Sequence, residues 1–195
     1  MSITRLKPIA IVTGTGSSGT TFLIGLCGEL GLCNLDGVYV NDNIGGGYEK
    51  SYTNTDYTEE IYKDPRIFFG GLECTKRDLF SRGRKLDFAF ICHRNYHQAS
   101  LSRIARKVVF SQWLKLKGCG ATAYEAQIDF FRKGLEECVT EMLRLNIEMC
   151  FVDYDRLQDP LYCFDVLSKR FPSLSKDDVI AAHKKIYKPD MKHSY

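Results

Sequence analysis

The sequence predicts an α/β fold, a three-layer αβα sandwich built on a central parallel sheet. Three observations predict it. Apolar strand runs alternate with helical stretches along the chain, the pattern of a sheet with helices on both faces. The first strand is apolar at consecutive positions, as a strand covered on both sides is. The chain has 195 residues, 44% of them apolar, which suits one domain with a full core.

Each element follows from local sequence. Strand one runs from Ile9 to Thr13. A glycine-rich turn follows, then a helix from about Gly19 to Leu30, closed by Gly31. Residues Asn34 to Glu60 are polar and rich in Gly, Asn and Tyr, with Gly45, Gly46 and Gly47 at the centre. They read as a long functional loop. A short strand, Ile61 to Lys63, ends at Asp64 and Pro65. A helix lies between Gly71 and Arg82. The next strand, Asp87 to Cys92, ends at His93 and Arg94, and helical sequence runs from about Tyr96 to Leu116. The clearest helix is Ala121 to Leu145, where Tyr124, Ile128, Phe131, Leu135, Cys138, Met142 and Leu145 recur at spacings of four and three. A last strand, Met149 to Asp153, leads to Tyr154. Two helices follow, Pro160 to Phe171 and Lys176 to Ile186, with Ser175 and Asp178 as a capping box for the second.

Composition narrows the function. A net charge of +3 is too small to argue for nucleic-acid binding, although a few clustered cations can serve an anionic cofactor. No apolar run reaches the length of a membrane span. The basic start, Met1 to Lys7, leads straight into the first core strand, which does not fit a removable leader, so a cytoplasmic protein is expected. Of the eight cysteines, Cys27, Cys92, Cys138 and Cys150 lie inside apolar segments, and no pair has metal-binding spacing. Reduced buried thiols are expected, and no metal site.

The chemistry concentrates at Gly14-Thr-Gly16-Ser17-Ser18-Gly19-Thr20-Thr21. This segment follows a strand and opens a helix, the context in which a glycine motif binds phosphate. Glycines let the backbone turn tightly against an anion, and the first helical amides and the helix dipole attract it. The spacing fits the P-loop pattern, so the fold expected is a three-layer αβα P-loop NTPase-like sandwich. Thr20 stands where that pattern has its lysine, and an ordinary ATPase or kinase needs the lysine on the transferred phosphate.

Ser18-Gly19-Thr20-Thr21-Phe22-Leu23 resembles the 5′-phosphosulfate loop of sulfotransferases, enzymes that use 3′-phosphoadenosine 5′-phosphosulfate (PAPS). In that family an aromatic after the two threonines helps hold the adenine. Phe22 fits that place, and fits equally a core aromatic of the first helix. Arg94 and Ser102, eight residues apart, match the family's arginine and serine for the 3′-phosphate. An arginine at the carboxyl end of a parallel strand lies where such sheets bind ligands, and its planar fork suits phosphate. Tyr154 falls where the family often has a tyrosine near the base. The resemblance implies Gly16, Ser17, Ser18, Gly19, Thr20, Thr21, Phe22, Arg94, Ser102 and Tyr154 as cofactor-binding residues. It implies sulfuryl transfer from PAPS to a hydroxyl or amine of an acceptor, a small molecule or glycan that the sequence does not name.

The family usually has lysine or arginine where this chain has Ser17. Lys63, at the end of the second core strand, is the replacement expected from the place many family members give a strand lysine near the sulfuryl group. The family's histidine two positions beyond that lysine is Pro65 here, so Asp64 is the nearest proton acceptor, with His93, His97 and His183 as others. Arg132-Lys133-Gly134 copies a basic triplet of the family but lies inside the strongest helix, where a solvated face is expected. The missing loop cation leaves two alternatives open, a P-loop kinase-like enzyme using a nucleoside triphosphate with Mg²⁺ and a non-catalytic nucleotide-binding protein. Asn34 to Glu60, with its glycines and Tyr39, Tyr48, Tyr52 and Tyr57, is expected to close over the loop as a flap that excludes water.

Overall fold

A computed structural model of the chain describes residues 6–15, 18–34, 39–41, 47–49, 60–64, 67–69, 71–105 and 124–187. It is an α/β fold. In chain order come β1 (Lys7–Gly14), α1 (Thr20–Glu29), β2 (Tyr39–Asn41), β3 (Gly47–Glu49), β4 (Ile61–Lys63), α2 (Leu72–Ser81), β5 (Arg84–His93), α3 (Tyr96–Ala105), α4 (Tyr124–Arg144), β6 (Glu148–Asp153), α5 (Pro160–Ser168) and α6 (Lys176–Ile186). Short 3₁₀ turns lie at Ile67–Phe69 and Tyr154–Arg156.

The main sheet has four parallel strands in the order β4-β1-β5-β6. Successive side chains of a strand point to opposite faces, and each face carries its own apolar cluster. On one face Ala10, Val12, Ile61, Phe90 and Val152 pack with Leu23 and Leu26 of α1, Val166 and Leu167 of α5, and Val179 of α6. On the other, Ile9, Ile11, Tyr62 and Ile91 pack with Phe68, Leu72 and Leu79, and with Cys138 and Met142 of α4. The α4 stripe read from its spacing is the buried side of that helix, with Phe131, Cys138 and Met142 buried and Tyr124, Ile128, Leu135 and Leu145 half-buried.

One irregularity sets the phase of β5. Ile9 pairs with Leu86 but Ala10 pairs with Phe88, so Asp87 has no partner on β1. The extra residue is a bulge. It puts Leu86 on the face of Ala89 and Ile91, while Phe88, Phe90 and Cys92 line the other. Burial pushes the Asp87 carboxyl above its ordinary value, and Arg170, at 3.1 Å, works against that.

Two expectations change. The stretch from Asn34 to Glu60 is not wholly loop, because β2 and β3 pair antiparallel with Tyr39 opposite Glu49. Three-residue strands among polar residues carry too little pattern to be read beforehand. The rest of that stretch past Asn34, and before Glu60, lies outside the described residues, as do 106–123 of the expected helices. At α6 only half of a capping box forms. The Asp178 amide donates to Ser175 Oγ at 3.1 Å, but the Asp178 carboxylate accepts from the Ser175 hydroxyl, at 2.6 Å. Among the described residues no helix is long and apolar enough to cross a membrane. The seven described cysteines are reduced thiols, six of them buried.

Candidate functional site

Because the four strands are parallel, their carboxyl ends share one edge, and Thr21, Lys63, Arg94 and Tyr154 lie at or beside it. The turn from β1 into α1 is shaped by two glycines. Gly14 has φ +152°, and a Cβ on it would lie 2.1 Å from the Cys92 carbonyl oxygen of β5. Gly19, at φ +88°, is the residue before α1, and a Cβ there would lie 2.4 Å from Leu157 Cδ1 and 3.1 Å from Tyr154 Cδ2. Only glycine fits either position without strain. Ser18 is buried and its hydroxyl donates to the Thr15 carbonyl. Gly16 and Ser17 lie outside the described residues.

The start of α1 differs from those of α3, α5 and α6; α2 likewise follows a glycine without a side-chain cap, but its first turn holds Glu73. Asn95 accepts from the first amides of α3, Asp159 from those of α5, and Ser175 from those of α6. Gly19 gives α1 no side-chain cap, and its first turn holds no acidic residue. Its leading amides thus stay available to an anion. Two further buried hydroxyls, missed by the sequence reading, lie at the end of β1, Thr13 on the face of Ile9 and Ile11, and in the turn after it, Thr15. Thr13 and Thr15 are 0% and 1% exposed, and neither hydroxyl has a hydrogen-bond partner among the described residues. The signal was present, since the chain of threonines and serines extends back into the end of β1. Buried hydroxyls of this kind are uncommon and are donors in reserve.

Lys63 and Asp64 adjoin in sequence and separate in space. Lys63, on the face of Ile61, reaches Thr21 of the loop helix, with Nζ 3.2 Å from Oγ1. Asp64 continues the ladder through its amide to the Val12 carbonyl, 3.0 Å. Its side chain points the other way, is 2% exposed, and accepts from Thr75 Oγ1 of α2 at 3.2 Å. The proton acceptor expected beside Lys63 is therefore held on the opposite face, as the alternation of a strand requires.

Arg94 follows the last residue of β5 and is 8% exposed. Its guanidinium lies over the Tyr154 ring, 4.2 Å from the centroid, which holds its plane by cation–π attraction. Tyr154 in turn touches Gly19, so Arg94, Tyr154 and the loop form one continuous structure. Ser102, on α3, is fully buried and its hydroxyl has no hydrogen-bond partner among the described residues. Phe22 packs edge-on against His183 of α6 at 5.3 Å and against Tyr187 at 6.4 Å, the core role left open by its sequence position.

The other histidines occupy distinct places. His97, exposed at the start of α3, has Nδ1 2.6 Å from Tyr124 Oη of α4. His93 meets Tyr96 edge-on at 5.3 Å. His183 is buried. Arg132 and Lys133 are exposed on α4, a solvated face. The thiol of Cys92, below the loop, is pushed far up by burial, so it is neutral and not a nucleophile here.

Compared with known proteins, the chain matches no family model and no curated sequence.

Proposed function

We propose that the chain is a sulfotransferase that takes a sulfuryl group from PAPS to a hydroxyl or amine, on a P-loop-like three-layer αβα sandwich. The observation that carries this is Lys63 Nζ on Thr21 Oγ1. The resemblance demands a cation at a loop that has Ser17 in its place, and a strand lysine delivers one to the helix that opens the loop. The uncapped start of α1, the Thr15 and Ser102 hydroxyls, which have no hydrogen-bond partner among the described residues, and the two cations fit an anionic nucleotide with phosphate at two points.

PAPS supplies an activated sulfuryl group whose leaving group is a phosphate. The chain's part is to bind and to neutralise. The α1 amides and the Thr20 and Thr21 hydroxyls hold the 5′ side, and Lys63 offsets the charge that grows on the leaving oxygen. Arg94 and Ser102 hold the 3′-phosphate, with Tyr154 beside the base. The acceptor oxygen or nitrogen bonds to sulfur in line as the sulfur–oxygen bond to phosphate breaks, and the acceptor's proton passes to a base. Among the described histidines His97 is exposed at this edge and suited to that role; Asp64 faces away.

Ligand-dependent melting tests the proposal. At a hundredfold excess over Kd, adenosine 3′,5′-bisphosphate should stabilise the fold by about 2.7 kcal/mol, with no divalent cation present. Stabilisation by ATP with Mg²⁺ and none by the bisphosphate would overturn it in favour of a kinase-like enzyme. Arg94→Ala should weaken the bisphosphate by roughly 10- to 100-fold, the worth of a charge-assisted hydrogen bond, and leave adenosine 5′-phosphate nearly unchanged. Equal losses for both ligands would show that Arg94 does not read the 3′-phosphate.

A further inference from the structure

A buried histidine of the last helix bonds the turn that walls the phosphate loop. His183 of α6 is 3% exposed, and its Nε2 lies 2.9 Å from the carbonyl oxygen of Leu157. A carbonyl only accepts, so Nε2 carries the hydrogen. The ring is held in place on two sides. Phe22 of α1 meets it edge-on, with ring planes at 71°, and Tyr187 stacks on it at 5.2 Å and 21°.

Leu157 ends the short 3₁₀ turn that follows β6. That turn is only three residues long, Tyr154–Arg156, and short 3₁₀ turns have little stability of their own. Its internal bonds are the Asp155 amide to Asp153 Oδ1 at 3.0 Å and the Leu157 amide to the Tyr154 carbonyl at 3.2 Å. The Leu157 carbonyl takes a second, weaker donor, Cys163 Sγ at 3.5 Å. Yet this turn is the wall of the loop. Leu157 and Tyr154 are the side chains that a Cβ on Gly19 would strike, and Tyr154 carries the Arg94 guanidinium. Whatever holds Leu157 therefore sets where Gly19 and the start of α1 can lie.

We propose that His183 is a positioning residue for the phosphate loop: by holding the Leu157 carbonyl from α6, and by packing on Phe22, it fixes the Tyr154–Leu157 turn as the seat of Gly19. The role is independent of which phosphate ligand the loop takes. It makes α6, far away in sequence, part of the loop's support.

Amide hydrogen exchange on the whole chain tests this without a ligand. The reporters are the Leu23 amide, bonded to the Gly19 carbonyl at 3.0 Å, and the Leu157 amide; the reference is the β5 core at Phe90. His183→Phe keeps an aromatic ring against Phe22 and Tyr187 but removes the donor. It should speed exchange at Leu23 and Leu157 about fivefold, the scale of one hydrogen bond, and leave Phe90 unchanged. His183→Gln, whose side-chain amide can donate to the same carbonyl, should restore the protection. Equal acceleration at all three amides, or none at Leu23, would overturn the proposal by leaving His183 an ordinary core residue.

Should His183→Phe not fold, native-state exchange of the unaltered protein decides. Leu23 and Leu157 should then open as one unit as denaturant rises, and separate opening would overturn the proposal. In a parallel measurement, His183→Phe should weaken adenosine 3′,5′-bisphosphate by about the same fivefold factor. If the unaltered protein does not bind that ligand, the proposed function fails while the exchange result still judges His183.

Discussion

The two faces of the sheet are built from the same strands and do different work. The α1, α5 and α6 face carries Lys63, Phe22 and His183, and five buried thiols, Cys27, Cys33, Cys92, Cys150 and Cys163. Among the described residues the α2 and α4 face carries aliphatic residues, Met142, the aromatics Tyr62 and Phe68 and one buried thiol, Cys138, and it receives Asp64. The dividing line passes between two consecutive residues of β4. What this teaches is that proximity in sequence at the end of a strand is a poor guide to a shared site. Lys63 joins the loop and Asp64 joins the packing under α2.

The largest test of that contrast is steric. Gly14→Ala would bring a Cβ against the Cys92 carbonyl of the neighbouring strand, and backbone on both sides cannot give way cheaply. We expect a loss of at least about 3 kcal/mol, read by urea denaturation. A loss under about 1 kcal/mol would mean that the loop can reseat itself and that the tight β1–β5 approach does not define it.

Next comes the β4 pair. Lys63→Met should reduce the proposed sulfuryl transfer, or bisphosphate binding, by roughly 10- to 100-fold through the lost charge-assisted bond. Asp64→Asn should alter transfer much less and lower thermal stability instead, because its partner is Thr75. Comparable losses of transfer from the two variants would erase the distinction between the faces.

Much of this was legible beforehand. The apolar run of β1, the glycine-threonine turn and the α4 stripe each carry a strong periodic or compositional signal, and they lie where the sequence reading expects them. The opposite directions of Lys63 and Asp64 were also legible in principle, since period two separates adjacent residues, but chemistry drew them together in the reading. The Asp87 bulge was not legible. Nothing in Arg84-Lys-Leu-Asp87-Phe marks an extra residue, and only pairing with β1 reveals it. The His183–Leu157 bond was equally hidden, because a contact across 26 residues leaves no local trace.

The thiols sharpen the contrast through pH. Burial raises Cys27, Cys92, Cys150 and Cys163 on the first face, Cys163 to about 12, and Cys138 on the second, also to about 12. A thiol whose folded pKa is raised contributes stability that is whole below its unfolded pKa and is lost as pH rises toward the folded value. Stability should therefore fall as pH climbs above about 9, by as much as about 1.4 kcal/mol per pH unit for each such thiol. Cys163→Ala should flatten that fall relative to the unaltered protein. An unchanged slope would show that the buried thiols do not govern the alkaline limb.

The smallest expected effect lies at the cap of α6. Ser175→Ala should cost about 1 kcal/mol in urea denaturation, since Ser175 Oγ accepts from the Asp178 amide. No loss would mean that α6 is held by its buried face alone.

The bulge at Asp87 has a consequence for how this chain tolerates change. It divides β5 into two stretches whose registers are set independently. Above it, Ala10 to Gly14 against Phe88 to Cys92 is an uninterrupted ladder that delivers the loop, and one added or lost residue there would turn every side chain to the wrong face. Below it, Lys7 to Ile9 against Arg84 to Leu86 already absorbs one residue of slack. A residue added or lost on that side of Asp87 should therefore disturb Ile9 and Leu86, both buried, before it disturbs the ladder that delivers the loop.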